Sequence, residues 1–159
     1  MTRLILAALL STALAGQASA LSCLRPSVPS SFQAADTSEA DYVLAIGRVQ
    51  PLPGEEIAPA DDTPNDRKGY SVRTRFDGEI AGADGFDTTV SFPLTVEVEC
   101  VGHWCGGVPL DRNILFVERR GEENVLIEGP CPRFALDATP EAEADVLACL
   151  RGEACTPPS

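Results

Sequence analysis

The chain has 159 residues, with 24 acidic side chains against 12 basic ones, a net charge of −12 at pH 7. Such a surface repels phosphate backbones and anionic membranes, so neither nucleic acid nor a lipid surface is an expected partner. With one histidine and six cysteines, the options for catalysis are few and the options for covalent stapling are many.

The first residues read as an export signal. Arg3 supplies the positive start, Leu4 to Leu14 an apolar stretch, and Ala18-Ser19-Ala20 the small residues of a cleavage site. The apolar stretch, about 11 residues, falls short of the ~20 that span a bilayer. Residues 1–20 are therefore expected to be a signal peptide and 21–159 a single exported domain, periplasmic or secreted. Loss of Arg3 leaves eleven basic against 24 acidic residues, a net charge of −13. A second cut is open after Ser22, where Ala20 and Ser22 occupy the −3 and −1 places and Cys23 becomes the first residue. Lipidation of Cys23 fits less well, because Leu21 sits one place late for a lipobox and five cysteines would be left over. No later apolar run is long enough to span a membrane, so no membrane insertion is expected of the mature form.

Residues 23–36, rich in Pro and Ser, read as an extended lead-in anchored by Phe32. Asp41 to Val49 has the Tyr, Val and Ile of a strand, ended by Pro51 and Pro53. Residues 51–69 hold four prolines and five carboxylates, an exposed loop. In Tyr70 to Phe76 the side chains of Tyr70, Val72, Thr74 and Phe76 alternate with polar ones, a half-buried strand with Arg73 and Arg75 outward. Gly78, Gly82 and Gly85 mark turns. From Val90 to Cys100 the even positions are apolar and the odd ones mostly polar, which predicts a strand whose even face is inward; Pro93 within it points to an edge or a bulge. Ile114–Glu118 and Val125–Glu128 are two short strands joined by the charged hairpin loop 119–124. Thr139-Pro140-Glu141 opens a helix over about 139–151, with Thr139 as cap, Val146, Leu147 and Leu150 as apolar face and Gly152 as stop.

An even cysteine count in an exported domain implies disulfides. Six cysteines allow 15 connectivities. Proximity favours Cys23–Cys131, Cys100–Cys105 and Cys149–Cys155, with an exchange that joins Cys23 to Cys100 or Cys105 as the alternative.

Five or so strands followed by one helix predict an all-β fold: a small, disulfide-stapled five-stranded OB-like barrel, or a sandwich, over about 23–131 with the helix outside it. The order of motifs resembles a known family. Cys23-Leu24-Arg25-Pro26 is followed by the strand Ala40 to Val49, then Arg75-Phe76-Asp77-Gly78, the valine-rich strand to Cys100, Cys105-Gly106, Ile114 to Val117 and Cys131. This is similar to the netrin-like domain of tissue inhibitors of metalloproteinases and their bacterial relatives, an OB-type barrel. The resemblance implies that a mature N-terminal Cys23 would chelate a protease zinc through its α-amino nitrogen and carbonyl. The family begins Cys-x-Cys, whereas this chain has a single cysteine there, and a cut after Ala20 leaves Leu21 and Ser22 in front of it.

His103 with Cys100 and Cys105 forms a Cys-x-x-His-x-Cys cluster, but a structural zinc site takes four ligands and no second local pair supplies the fourth. Oxidation would pair the two cysteines, so no metal and no Cys-His nucleophile are expected. A serine triad would have to use His103, and no Gly-x-Ser-x-Gly elbow accompanies it. The acidic loop 55–66 lacks the spacing of a calcium loop. Trp104, inside the Cys100–Cys105 segment, caps the barrel if buried and anchors a partner if exposed, the first being favoured. His103 and Trp104 are thus the candidate binding residues. The expectation is a non-enzymatic exported binding module with a protein or peptide partner and no cofactor. A metallopeptidase inhibitor acting through Cys23 comes second, and a hydrolase with an unrecognised site third.

Overall fold

The computed structural model describes residues 22–58 and 65–157. The expected signal peptide at 1–20 lies outside the described residues. In chain order the elements are α1 (Val28–Asp36), β1 (Asp41–Pro51), β2 (Tyr70–Gly82), β3 (Gly85–Val98), the short β4 (Cys100–Val101) and β5 (Trp104–Cys105), β6 (Arg112–Arg120), β7 (Glu123–Glu128), β8 (Ala135–Asp137) and α2 (Pro140–Leu150).

Five strands form a closed circuit of pairings. β1 lies antiparallel to β2 and β2 to β3. β3 runs parallel to β7, and β7 lies antiparallel to β6. β6 returns to β1, from Asp41 opposite Arg119 to Arg48 opposite Arg112. β8 adds to β6 beyond the reach of β7. The circuit leaves an edge open in the first part of β3, before Thr95, which pairs with β2 but not with β7.

Two cores follow from which faces are covered. Inside the circuit Ala45, Val49, Phe76, Leu94, Val96, Val98, Leu115, Val117 and Leu126 pack together. A second cluster, Val28, Ile46, Ile114, Phe116, Leu136, Val146 and Cys149, fills the space between the outer face of β1, β6 and β8 and the two helices. Phe32 stands edge-on to Phe116 with ring centres 5.6 Å apart. β1 and β6 therefore read as unbroken apolar runs because both of their faces are covered. β2 and β3 alternate because their outer face meets solvent. The expected inward parity of β3 is observed: Leu94, Val96 and Val98 are buried. Pro93 sits where an edge tolerates it, since β3 pairs with β7 only from Thr95 onward.

Several local expectations are corrected. The lead-in is not extended throughout: Val28–Asp36 is helical. Ser27 and Ser30 form a reciprocal capping box and Pro29 stands in the first turn, where its missing N–H costs nothing. Gly78 marks no turn. It lies within β2 opposite Gly47 of β1, and a Cβ on Gly78 would come within 2.6 Å of the Phe76 ring tip and 2.7 Å of the Gly47 Cα. The glycine pair lets the two backbones and the Phe76 ring approach one another. Only Gly82 and Gly85 flank the turn, at Ala83-Asp84. The hairpin between β6 and β7 is tighter than 119–124, because Arg120 already faces Glu123. Gly121, at φ +64°, starts a two-residue turn of the kind that wants positive φ first. β8 was not anticipated. The C-terminal helix starts where its cap predicts, with Thr139 accepting the Ala142 N–H at 3.1 Å, but Cys149 replaces Leu147 on its buried face.

Candidate functional site

The register sorts the connections between two ends of the sheet. Pro51 faces Thr74, Tyr70 faces Val98 and Arg48 faces Arg112. The end of β1, the start of β2, the end of β3 and the start of β6 therefore share one end, and the parallel β3–β7 pairing brings the end of β7 there too. This end carries the long connections 52–69, 99–111 and 129–134. The opposite end is closed by the two-residue turns Ala83-Asp84 and Gly121-Glu122.

Within the 99–111 connection, β4 and β5 form a small hairpin. Cys100 pairs with Cys105 and Val101 with Trp104, and the Cys100–Cys105 disulfide locks the two strands. Gly102, at φ +62°, supplies the bend with His103. The hairpin is braced from two sides. The Arg67 N–H donates to the Gly102 carbonyl at 2.8 Å, and the Cys100 sulfur lies 3.3 Å from the Lys68 carbonyl oxygen, a contact without a proton. At its base the Gly106 N–H donates to the Glu99 carbonyl and the Glu99 N–H to the Glu128 carbonyl, at 3.0 and 2.9 Å. A Cβ on Gly106 would collide with the Glu128 and Gly129 backbone, so glycine is required there.

His103 is exposed and stacks on half-buried Trp104, ring centres 3.7 Å apart. Trp104 thus neither caps the interior nor projects freely; its ring forms the flank of the hairpin tip. With Cys100 and Cys105 bonded to each other, the Cys-x-x-His-x-Cys cluster offers no thiolate for zinc or for attack on a substrate. Among the described residues no group of three or more His, Cys, Asp or Glu is placed to hold a metal ion. Glu55 of the acidic loop is engaged instead with Arg73. It accepts the Arg73 N–H at 3.0 Å and the guanidinium at 2.7–2.8 Å, and these bonds hold its carboxyl below the usual range.

The other two disulfides are Cys23–Cys131 and Cys149–Cys155, spanning 108 and 6 positions. The exchange of Cys23 onto Cys100 or Cys105 is not formed. Around Cys23–Cys131 lies an open groove of about 890 Å³, bounded by residues 22–27, α1, residues 131–133 and Pro157. Disulfides of this number fit an oxidising compartment. No described helix is long and apolar enough to cross a membrane.

Two features escaped the reading of the sequence. One is the groove, which depends on α1. The other is Glu128, 3% exposed and facing inward with Leu126. Its Oε1 has no hydrogen-bond partner. Burial pushes its carboxyl up to about 8, against the opposing pull of the Ala135 and Phe134 N–H groups. Its shared parity with Leu126 was the available signal.

Four large apolar side chains stand exposed among the described residues, Leu24, Ile57, Val101 and Leu110, and three of them belong to the long-connection end. Ile57, Val101 and Leu110 lie in its loops, whereas Leu24 lines the groove beside the Cys23–Cys131 bond. Comparison with known protein families, curated proteins and solved structures finds no match.

Proposed function

We propose that the mature chain is an exported, non-enzymatic binding module on an OB-type barrel, and that it engages a protein or peptide partner with its long-connection end. The circuit β1-β2-β3-β7-β6-β1 with one parallel pair supports the barrel type. The observation that carries the function is the gathering of Ile57, Val101 and Leu110, all exposed, at one end, beside a hairpin made rigid by Cys100–Cys105. Exposed apolar groups held in place before binding lose little entropy on contact, which is what a recognition surface needs. The test is co-purification from the native compartment with wild type, Val101→Asp and Trp104→Ala. A partner recovered by the wild type and lost with both variants, at unchanged melting temperature, supports the reading. Equal recovery by all three overturns it.

A second reading, inhibition of a metallopeptidase, is favoured by one detail. Leu24 is 93% exposed directly after the exposed Cys23, as a side chain destined for a protease subsite would be. It rests on the resemblance to the netrin-like domain and needs Cys23 as the free N-terminus. N-terminal sequencing with inhibition assays against zinc peptidases separates the two. A chain that begins at Leu21 and inhibits nothing leaves the binding module; a chain that begins at Cys23 and inhibits favours the second.

A further inference from the structure

The groove around Cys23–Cys131 is charged unlike the rest of the molecule. The chain has twice as many acidic as basic residues, yet the groove is lined by Arg25 and Arg133 and by no Asp or Glu. Four basic side chains elsewhere are paired with carboxylates from this surplus. Arg73 pairs with Glu55, Arg112 with Glu143 at 2.6 Å, Arg120 with both Glu97 and Glu118, and Lys68 with Asp66. Arg25 and Arg133, like Arg48, Arg75, Arg119 and Arg151, have no carboxylate partner among the described residues, but only these two share a groove lined by no acid. The wall between them brings no compensating charge either, since the first turn of α1 contains no acidic residue. The first turn of α2, away from the groove, carries Glu141 and Glu143.

The groove's other lining is neutral. It has apolar surface from Leu24, Pro26, Ala34, Pro132 and Pro157, and hydroxyl and amide groups from α1. Its volume is in the range of pockets that hold small molecules or a few peptide residues. The two arginines are exposed and present guanidinium forks, which bind carboxylates in bidentate fashion. The floor is fixed by the disulfide and by the Ser31 hydroxyl, which donates to the Arg133 carbonyl and ties α1 to the 131–133 segment.

The geometry points to a binding site for a short acidic peptide segment, its carboxylates on Arg25 and Arg133 and its backbone along α1. This site is built from residues other than Val101 and Trp104, so it does not rest on the hairpin reading and the two fail separately. The field of a chain with this net charge repels an acidic peptide. Binding therefore has to come from a local basic site, and reversal of that site is diagnostic.

The experiment uses the mature protein with its disulfides intact and a fluorescein-labelled hexapeptide with four Asp and Glu residues, followed by fluorescence anisotropy. Arg25→Glu with Arg133→Glu should weaken binding at least tenfold while the melting temperature holds, since both side chains are exposed. The same peptide with Asn and Gln in place of the acids should bind at least tenfold more weakly. Raising the salt from 50 to 300 mM should weaken the acidic peptide only. Undetectable binding of the acidic peptide, equal binding of the neutral peptide, or indifference to the double reversal would overturn the site. Displacement by millimolar inorganic phosphate would overturn its peptide character and leave a general oxyanion site.

Discussion

The two ends of the closed sheet solve chain reversal in opposite ways. At one end the strands turn within two residues, at Ala83-Asp84 and Gly121-Glu122, with little chain to order. At the other, the described parts of the long connections are held at a large entropic cost, and the Cys100–Cys105 and Cys23–Cys131 bonds help to offset it. The same long-connection end holds Ile57, Val101 and Leu110, three exposed apolar side chains. A fold that only had to be stable would have used short turns throughout. The costly end is where the proposed recognition surface lies, since loops on a rigid scaffold generally carry binding residues.

Perturbations of decreasing size test this contrast. The two ends share one interior, so Val96→Asp, which puts a charge at a fully buried site, should destabilise both by roughly 5 kcal/mol or prevent folding. Near-native melting would show the inward face of β3 to be misassigned. Replacing Cys23 and Cys131 by Ala removes a closed loop of more than a hundred residues and should cost about 4 kcal/mol in the chain-entropy account. Hydrogen exchange should rise most at residues 22–27 and 129–134 and by a smaller, global amount at the turn end.

Glu128 gives the long-connection end a pH dependence of its own. Its carboxyl, ordinarily near 4.5, is pushed up to about 8 by burial, so between those values the folded chain holds a proton that the unfolded chain has released. Stability must fall as pH rises through that window and level off above it. Glu128→Gln should therefore be more stable than the wild type at pH 8 and similar at pH 4, as read by urea midpoints. An equal gap at both pH values would refute the assignment. At the turn end, Gly121→Ala forces an L-residue to positive φ and should cost only about 1–2 kcal/mol. Smallest of all, Val101→Asp at the exposed hairpin should change stability by no more than about 0.5 kcal/mol.

Much of this was legible in the sequence, and the remainder has a physical explanation. The alternation in 70–76 and 90–100 shows a sheet with one wet face, and Thr139-Pro140 gives the start of α2. The continuous runs in β1 and β6 identify strands but not what covers them. The covering helix α1 was hidden by Pro26 and Pro29, which look like breakers until Ser27 is seen as a cap. β8 is three residues long, too short to show any period. The Gly47–Gly78 contact joins residues thirty-one positions apart, so a turn was the natural reading for Gly78. Trp104 and His103 were recognisable as candidates from their place between two cysteines. The groove was not recognisable, because Arg25 and Arg133 meet only through the Cys23–Cys131 bond and the packing of α1.

The most direct test of the account places a photo-crosslinking amino acid at Val101 in one variant and at Glu122 in another, and irradiates each in its native compartment. The account predicts a discrete adduct from position 101, abolished by adding Trp104→Ala, and none from position 122. Adducts from position 122 alone, or from both positions alike, would contradict the claim that recognition belongs to the long-connection end.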